Sequence, residues 1–141
     1  MLYGSQGLSL YIGRYKKFGD IDLLVETKWI NEQWQDLVAK MGELDFKLID
    51  EHEHEFVDNT STKVGFAANY ILVRDKIAGS VSNAIHTLVV NNTEIHTLKP
   101  EALLKAYEFS ALDGYRKEIR NKKYSTVINL LKDYLIKTQY L

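Results

Sequence analysis

The chain has 141 residues, 45% of them apolar, enough for one compact domain spanning residues 1–141 with a core of its own. Its 18 basic and 19 acidic residues leave a net charge of −1, so no long-range field draws it to a nucleic acid or a membrane surface. It has no cysteine, which excludes disulfides, thiolate chemistry and cysteine-type zinc sites; with no leader pattern and no apolar run near the roughly 20 residues a membrane span needs, a cytoplasmic protein is expected.

Met1-Leu2-Tyr3 reads as a short strand ending at Gly4-Ser5, and the stretch from Gln6 to Arg14, with Leu8, Leu10, Tyr11 and Ile12, reads as a short helix. Gly19 then opens Asp20-Ile21-Asp22-Leu23-Leu24-Val25, a strand whose alternation sets Asp20, Asp22 and Leu24 on one side and Ile21, Leu23 and Val25 on the other. Apolar residues at three- and four-residue steps (Ile30, Trp34, Leu37, Val38, Met41) predict one helix over residues 29–42, with Gly42 as its stop. Residues 46–57 read as extended, and the polar Asp58-Asn59-Thr60-Ser61-Thr62 turns the chain back into a second β-rich stretch over residues 63–72. Residues 74–83 are expected as loop or short helix. Strands over residues 85–90 and 93–98 flank Asn91-Asn92. Pro100 suits the first turn of a helix running towards Asp113-Gly114, and a last helix covers residues 125–136. The expected class is α+β, a mixed sheet flanked by helices, with a helical C-terminal part from about residue 100.

The chemistry concentrates in two places. A strand that turns sharply into a helix at Gly4-Ser5 lets backbone N–H groups and a hydroxyl approach phosphate oxygens with no Cβ in the way. Asp20 and Asp22, two residues apart on one strand, face the same side, and two carboxylates so placed repel each other unless a cation sits between them. A hard ion held by carboxylates and substrate phosphates is the usual form of magnesium in nucleotide enzymes.

Leu2-Tyr3-Gly4-Ser5 followed, after fourteen intervening residues, by Asp20-Ile21-Asp22-Leu23-Leu24-Val25 resembles the signature of the nucleotidyltransferase superfamily, in particular its small minimal and antitoxin-like members. The resemblance implies a mixed sheet flanked by helices. It implies that Gly4 and Ser5 grip a nucleoside triphosphate, that Asp20 and Asp22 hold Mg²⁺, and that NMP passes to a hydroxyl acceptor of unknown identity. A third carboxylate completes such sites, and in some small relatives it follows a Lys-Val pair. Here Lys63-Val64 is followed by Gly65, so the acid is expected from Glu55 or Glu53 on the preceding strand. The alternative is a catalytically impaired nucleotide-binding or antitoxin-type interaction protein that keeps the fold without that acid.

Other features have plainer readings. In a strand, Glu51-His52-Glu53-His54-Glu55 would present His52 and His54 on one side, which suits a zinc site, but a solvated arm of alternating charge is the expected state. His86 and His96 read as structural histidines, and Trp29 and Trp34 as core or rim aromatics. Arg14, Lys16 and Lys17 lie in the loop between the two halves of the motif, from which they could reach a triphosphate, but a solvated charged loop is the expected state of each. Arg116, Lys117, Arg120, Lys122 and Lys123 read as an exposed basic face, and no membrane or nucleic-acid partner is expected.

Overall fold

A computed structural model describes residues 1–13, 20–112 and 114–139, with the backbone alone for Ser5, residues 114–123 and residue 139. A short strand β1 (Leu2–Tyr3) leads straight into helix α1 (Gly4–Ile12), and β2 (Ile21–Val25) follows. Next come α2 (Thr27–Asn31), α3 (Trp34–Glu43) and three strands, β3 (Lys47–Asp50), β4 (Glu55–Val57) and β5 (Lys63–Ala68). Two one-turn helices, α4 (Ile71–Arg74) and α5 (Val81–Ala84), precede the hairpin of β6 (Ile85–Val90) and β7 (Thr93–Leu98). The chain finishes in α6 (Pro100–Leu112) and the long α7 (Gly114–Gln139).

All the strands join one mixed sheet in the order β3-β4-β5-β2-β1-β7-β6. β2 lies at its centre, parallel to β5 and antiparallel to β1. Alternation along β2 and β5 splits the core into two layers. On one face Val64 and Phe66 of β5 and Phe56 of β4 pack with Leu37 and Met41 of α3, and Ile21, Leu23 and Val25 join them. On the other, Leu24 packs with Leu8 of α1, Leu72 of α4, Leu103 of α6 and Val127 and Leu131 of α7. The two faces of β2 therefore read out as the sequence alternation requires. The first strand is tied in by Thr97, fully buried, whose hydroxyl donates to the Leu2 carbonyl at 3.2 Å.

The β6–β7 turn follows its sequence closely: Asn91 and Asn92 take φ of 50° and 62°, the pair of left-handed residues that a two-residue hairpin turn needs and that asparagine tolerates. The turn between β4 and β5 is closed by Asp58, whose Oδ1 accepts hydrogen bonds from the Thr60 N–H, the Thr60 hydroxyl and the Thr62 N–H. Those bonds, the Thr60 hydroxyl first, hold the Asp58 carboxyl below its usual pKa.

Four expectations are corrected: the β-rich stretch over residues 63–72 ends at Ala68, with Ile71 already in α4, the last helix runs over Gly114–Gln139 rather than residues 125–136, and two further changes concern residues 29–57. The single helix over residues 29–42 is two, broken at Glu32-Gln33, where both N–H groups turn back to the Lys28 carbonyl. The apolar period runs through the break because both segments bury their side chains against the same cluster. The second helix also continues through Gly42 to Glu43. The extended stretch over residues 46–57 is itself a hairpin. Residues 51–54 form its turn, with Asp50 Oδ1 accepting from the Glu53 N–H at 3.0 Å and His54 in the left-handed region at φ 54°. His52 and His54 are thus not alternating strand residues, and His54 instead sets its ring edge against Trp34 at 4.9 Å.

Candidate active site

The predicted residues meet at one end of β2. Tyr3 pairs with Asp22, Asp22 with Gly65, and Gly65 with Glu55, so a single row crosses β1, β2, β5 and β4. Residues in one cross-strand row share a face. Val64, Phe66 and Phe56 point into the α3 layer, which leaves Asp22, Gly65 and Glu55 on the opposite side. Asp22 and Glu55 are half-buried there, and Asp20, exposed, immediately precedes β2. With Ile21 packed towards α3, the alternation sets Asp20 on the side of Asp22.

Glycine surrounds the Asp22 carboxylate on two sides. At Gly4 the backbone is left-handed, φ 66°, as the chain swings from β1 into α1, and a Cβ there would stand 2.7 Å from Asp22 Oδ2. At Gly65 a Cβ would lie 3.4 Å from Asp22 Oδ1 and 3.9 Å from Glu55 Cγ. Gly65 thus leaves open the stretch of this face between Asp22 and Glu55, one strand to either side of β5. Gly4→Ala is expected to cost about 1–2 kcal/mol for the left-handed backbone alone and to force the Asp22 carboxylate to rotate. A lowered urea midpoint together with weaker nucleotide binding checks both parts.

Glu53 does not join this row. It lies exposed in the β3–β4 turn, because the turn breaks the alternation that would have set it beside Glu55. Among the described residues no group of three or more His, Asp and Glu side chains is close enough to hold a metal ion unaided. Gly4 and Ser5 open α1, so its first backbone N–H groups start beside Asp22. The side chain of Ser5, the loop with Arg14, Lys16, Lys17 and Gly19, and the side chains of Arg116 to Lys123 lie outside the described residues.

The remaining histidines take structural places. His96 Nδ1 lies 3.1 Å from the Thr87 hydroxyl across the β6–β7 pair, and His86 stands beside the Tyr11 ring. The Tyr11 hydroxyl donates to the Leu98 carbonyl, and burial pushes its pKa above the ordinary tyrosine value. Sequence reasoning overlooked Gly65 as the opening for Glu55. The signal was present in the alternation of Lys63, Gly65 and Ala67 against Val64, Phe66 and Ala68.

No protein-family model matches the chain. Its fold is similar to the crystal structure of an antigenic nucleotidyltransferase-like protein from Paracoccidioides brasiliensis, with a TM-score of 0.59 at 15% identity over 92% of this chain. This chain spans 65% of the length of that protein. The fold is thus nucleotidyltransferase-like, and among the described residues no helix is long and apolar enough to cross a membrane. In sequence the chain is 36% identical over 131 residues to the "Uncharacterized protein YnaI" of Bacillus subtilis (strain 168), covering 93% of this chain and 82% of that one. With that identity over most of both proteins, the chain belongs to the family of B. subtilis YnaI.

Proposed function

We propose that the protein is a nucleotidyltransferase that transfers NMP from a magnesium-bound nucleoside triphosphate to a hydroxyl acceptor, with Asp20, Asp22 and Glu55 as its acids. The observation that carries this reading is the single cross-strand row that sets Asp22 and Glu55 on one face with Gly65 between them. The acid absent from position 65 is supplied one strand away, and the glycine leaves it room.

The residues fit magnesium. The donors are all carboxylate oxygens, and at Gly4 a Cβ would crowd Asp22, standing 2.7 Å from its Oδ2. Asp20 and Asp22 would hold the ion, and substrate phosphate oxygens would complete its shell. Bound there, it would supply positive charge against the phosphates. Gly4, Ser5 and the first N–H groups of α1 would receive the β- and γ-phosphates on the β1 side of Asp22. The acceptor then approaches from the β4 side. Its hydroxyl oxygen bonds to the α-phosphorus, the bond from that phosphorus to the β-phosphate bridging oxygen breaks, and pyrophosphate leaves. The hydroxyl proton passes to the Glu55 carboxylate and from there to solvent.

Titration calorimetry tests the first half directly. Each of the four NTPs is added at millimolar concentration with Mg²⁺, and saturable binding of at least one is expected, lost when EDTA removes the metal. Absence of heat with all four would end the nucleotide reading.

A further inference from the structure

Next to the carboxylate row, on the same face of the sheet, runs a row of opposite sign. Lys47 of β3 pairs with Val57 of β4, and Val57 pairs with Lys63 of β5. The neighbours settle the face. Leu48, Phe56 and Val64 all belong to the α3 layer, so Lys47, Val57 and Lys63 stand on the side of Glu55 and Asp22. The pairing of Ile21 with Val64, carried back one residue, sets Lys63 beside Asp20. Strand spacing sets the two lysine Cα atoms about 10 Å apart, with Val57 between them, and about 7 Å along the strands from the Glu55 row. Lysine side chains are long enough to reach across such a gap.

Both lysines are exposed, and among the described residues neither makes an ion pair, although Glu55 and Asp20 stand close by. Asp50, opposite Glu55 in the β3–β4 register, has one carboxylate oxygen engaged by the Glu53 N–H.

We propose that Lys47 and Lys63 bind a phosphate group on the acceptor, which makes the acceptor a small phosphorylated alcohol. The inference rests on the nucleotidyltransferase reading and deepens it. The triphosphate is received on the β1 side of Asp22, at Gly4 and α1, whereas Lys63 on β5 and Lys47 on β3 flank the Glu55 strand on the other side of Asp22. They therefore face the second substrate. Two ammonium groups across one valine match a single dianion, since lysine binds phosphate as a mobile point charge. A nucleic acid needs a longer basic track to hold successive phosphates, and among the described residues this row offers two cations beside Asp20, Asp22, Glu55 and Asp50.

The test uses sn-glycerol 3-phosphate as probe, titrated into protein saturated with Mg²⁺ and a non-hydrolysable NTP analogue so that the triphosphate subsite is filled. Glycerol and a short single-stranded RNA serve as comparisons, and the variants are the pair Lys47→Gln and Lys63→Gln and the pair Lys47→Arg and Lys63→Arg. Wild type is expected to bind glycerol 3-phosphate but not glycerol, with affinity falling about tenfold or more in the glutamine pair and held within about threefold in the arginine pair. Binding of the Mg-NTP analogue itself should be the same in all three proteins. If that analogue binds and glycerol 3-phosphate does not, or binds equally to the glutamine pair, the lysine assignment is overturned and the nucleotide reading stands. Lysine-dependent binding of RNA without binding of glycerol 3-phosphate overturns it as well. If the analogue fails to bind wild type, the nucleotide reading falls and the lysine assignment falls with it.

Discussion

Asp22→Asn is expected to abolish the stabilisation that Mg-NTP gives the protein. A ligand that binds only the folded state at one hundred times its Kd adds about 2.7 kcal/mol, roughly 10 °C in melting temperature for a chain of this size. Asparagine keeps the shape of Asp22 between Gly4 and Gly65 but removes the charge that would attract the metal. A hundredfold weaker Kd leaves only about 0.4 kcal/mol at the same concentration, a shift near the limit of detection. A melting series with and without Mg-NTP reads the loss directly. An asparagine variant that melts as wild type does and shifts as far with ligand would remove Asp22 from the site.

Much of this arrangement was legible in the sequence, and the reason is local. Strand alternation at 20–25, the Gly4-Ser5 turn, the Asn91-Asn92 hairpin and the start of α6 at Pro100 each depend on residues within a few positions of one another, and each appears where expected. What escaped reading depends on contacts across strands. The turn at residues 51–54 replaces alternation by a side-chain hydrogen bond from Asp50 and a left-handed His54, and neither has a period to detect. The break at Glu32-Gln33 is hidden because the apolar stripe continues across it. Most consequential is the register of β4 on β5: it is set by the length of the Asp58 turn, and a shift of one residue would have sent Glu55 into the α3 layer and Phe56 to the acids. Glu55 and Glu53 were equal candidates in sequence, and that register together with the turn separates them. Lys63 was visible only as the residue before Val64. Its place beside Asp20, and across Val57 from Lys47, follows from three strands at once.

The final expectation concerns the acid that has moved. If Glu55 takes the acceptor proton, Glu55→Gln should lower pyrophosphate release by about 10²- to 10⁴-fold and spare Mg-NTP binding, since it removes an interaction made while the acceptor reacts. Gly65→Asp then offers a repair. Its Cβ would meet Asp22 Oδ1 at 3.4 Å, a contact that a small rotation of the carboxylate relieves, and its own carboxylate would stand in the same cross-strand row between the positions of Asp22 and Glu55. In the wild-type background the added acid would crowd Asp22 and Glu55, and like charges directly opposite on a sheet destabilise it, so Gly65→Asp alone is expected to lower stability. In the Glu55→Gln background the count of carboxylates returns to its original value, and turnover should recover by about tenfold or more over the single variant, a change of at least 1.4 kcal/mol in the barrier. Recovery in the double variant would mean that the site requires an acid on this row rather than glutamate at residue 55 in particular. Unchanged turnover in Glu55→Gln would make Glu55 a bystander on the rim. A wild-type protein that binds Mg-NTP tightly yet releases no pyrophosphate with phosphorylated or unphosphorylated alcohols would instead favour a nucleotide-binding module in which Gly65 marks the loss of catalysis.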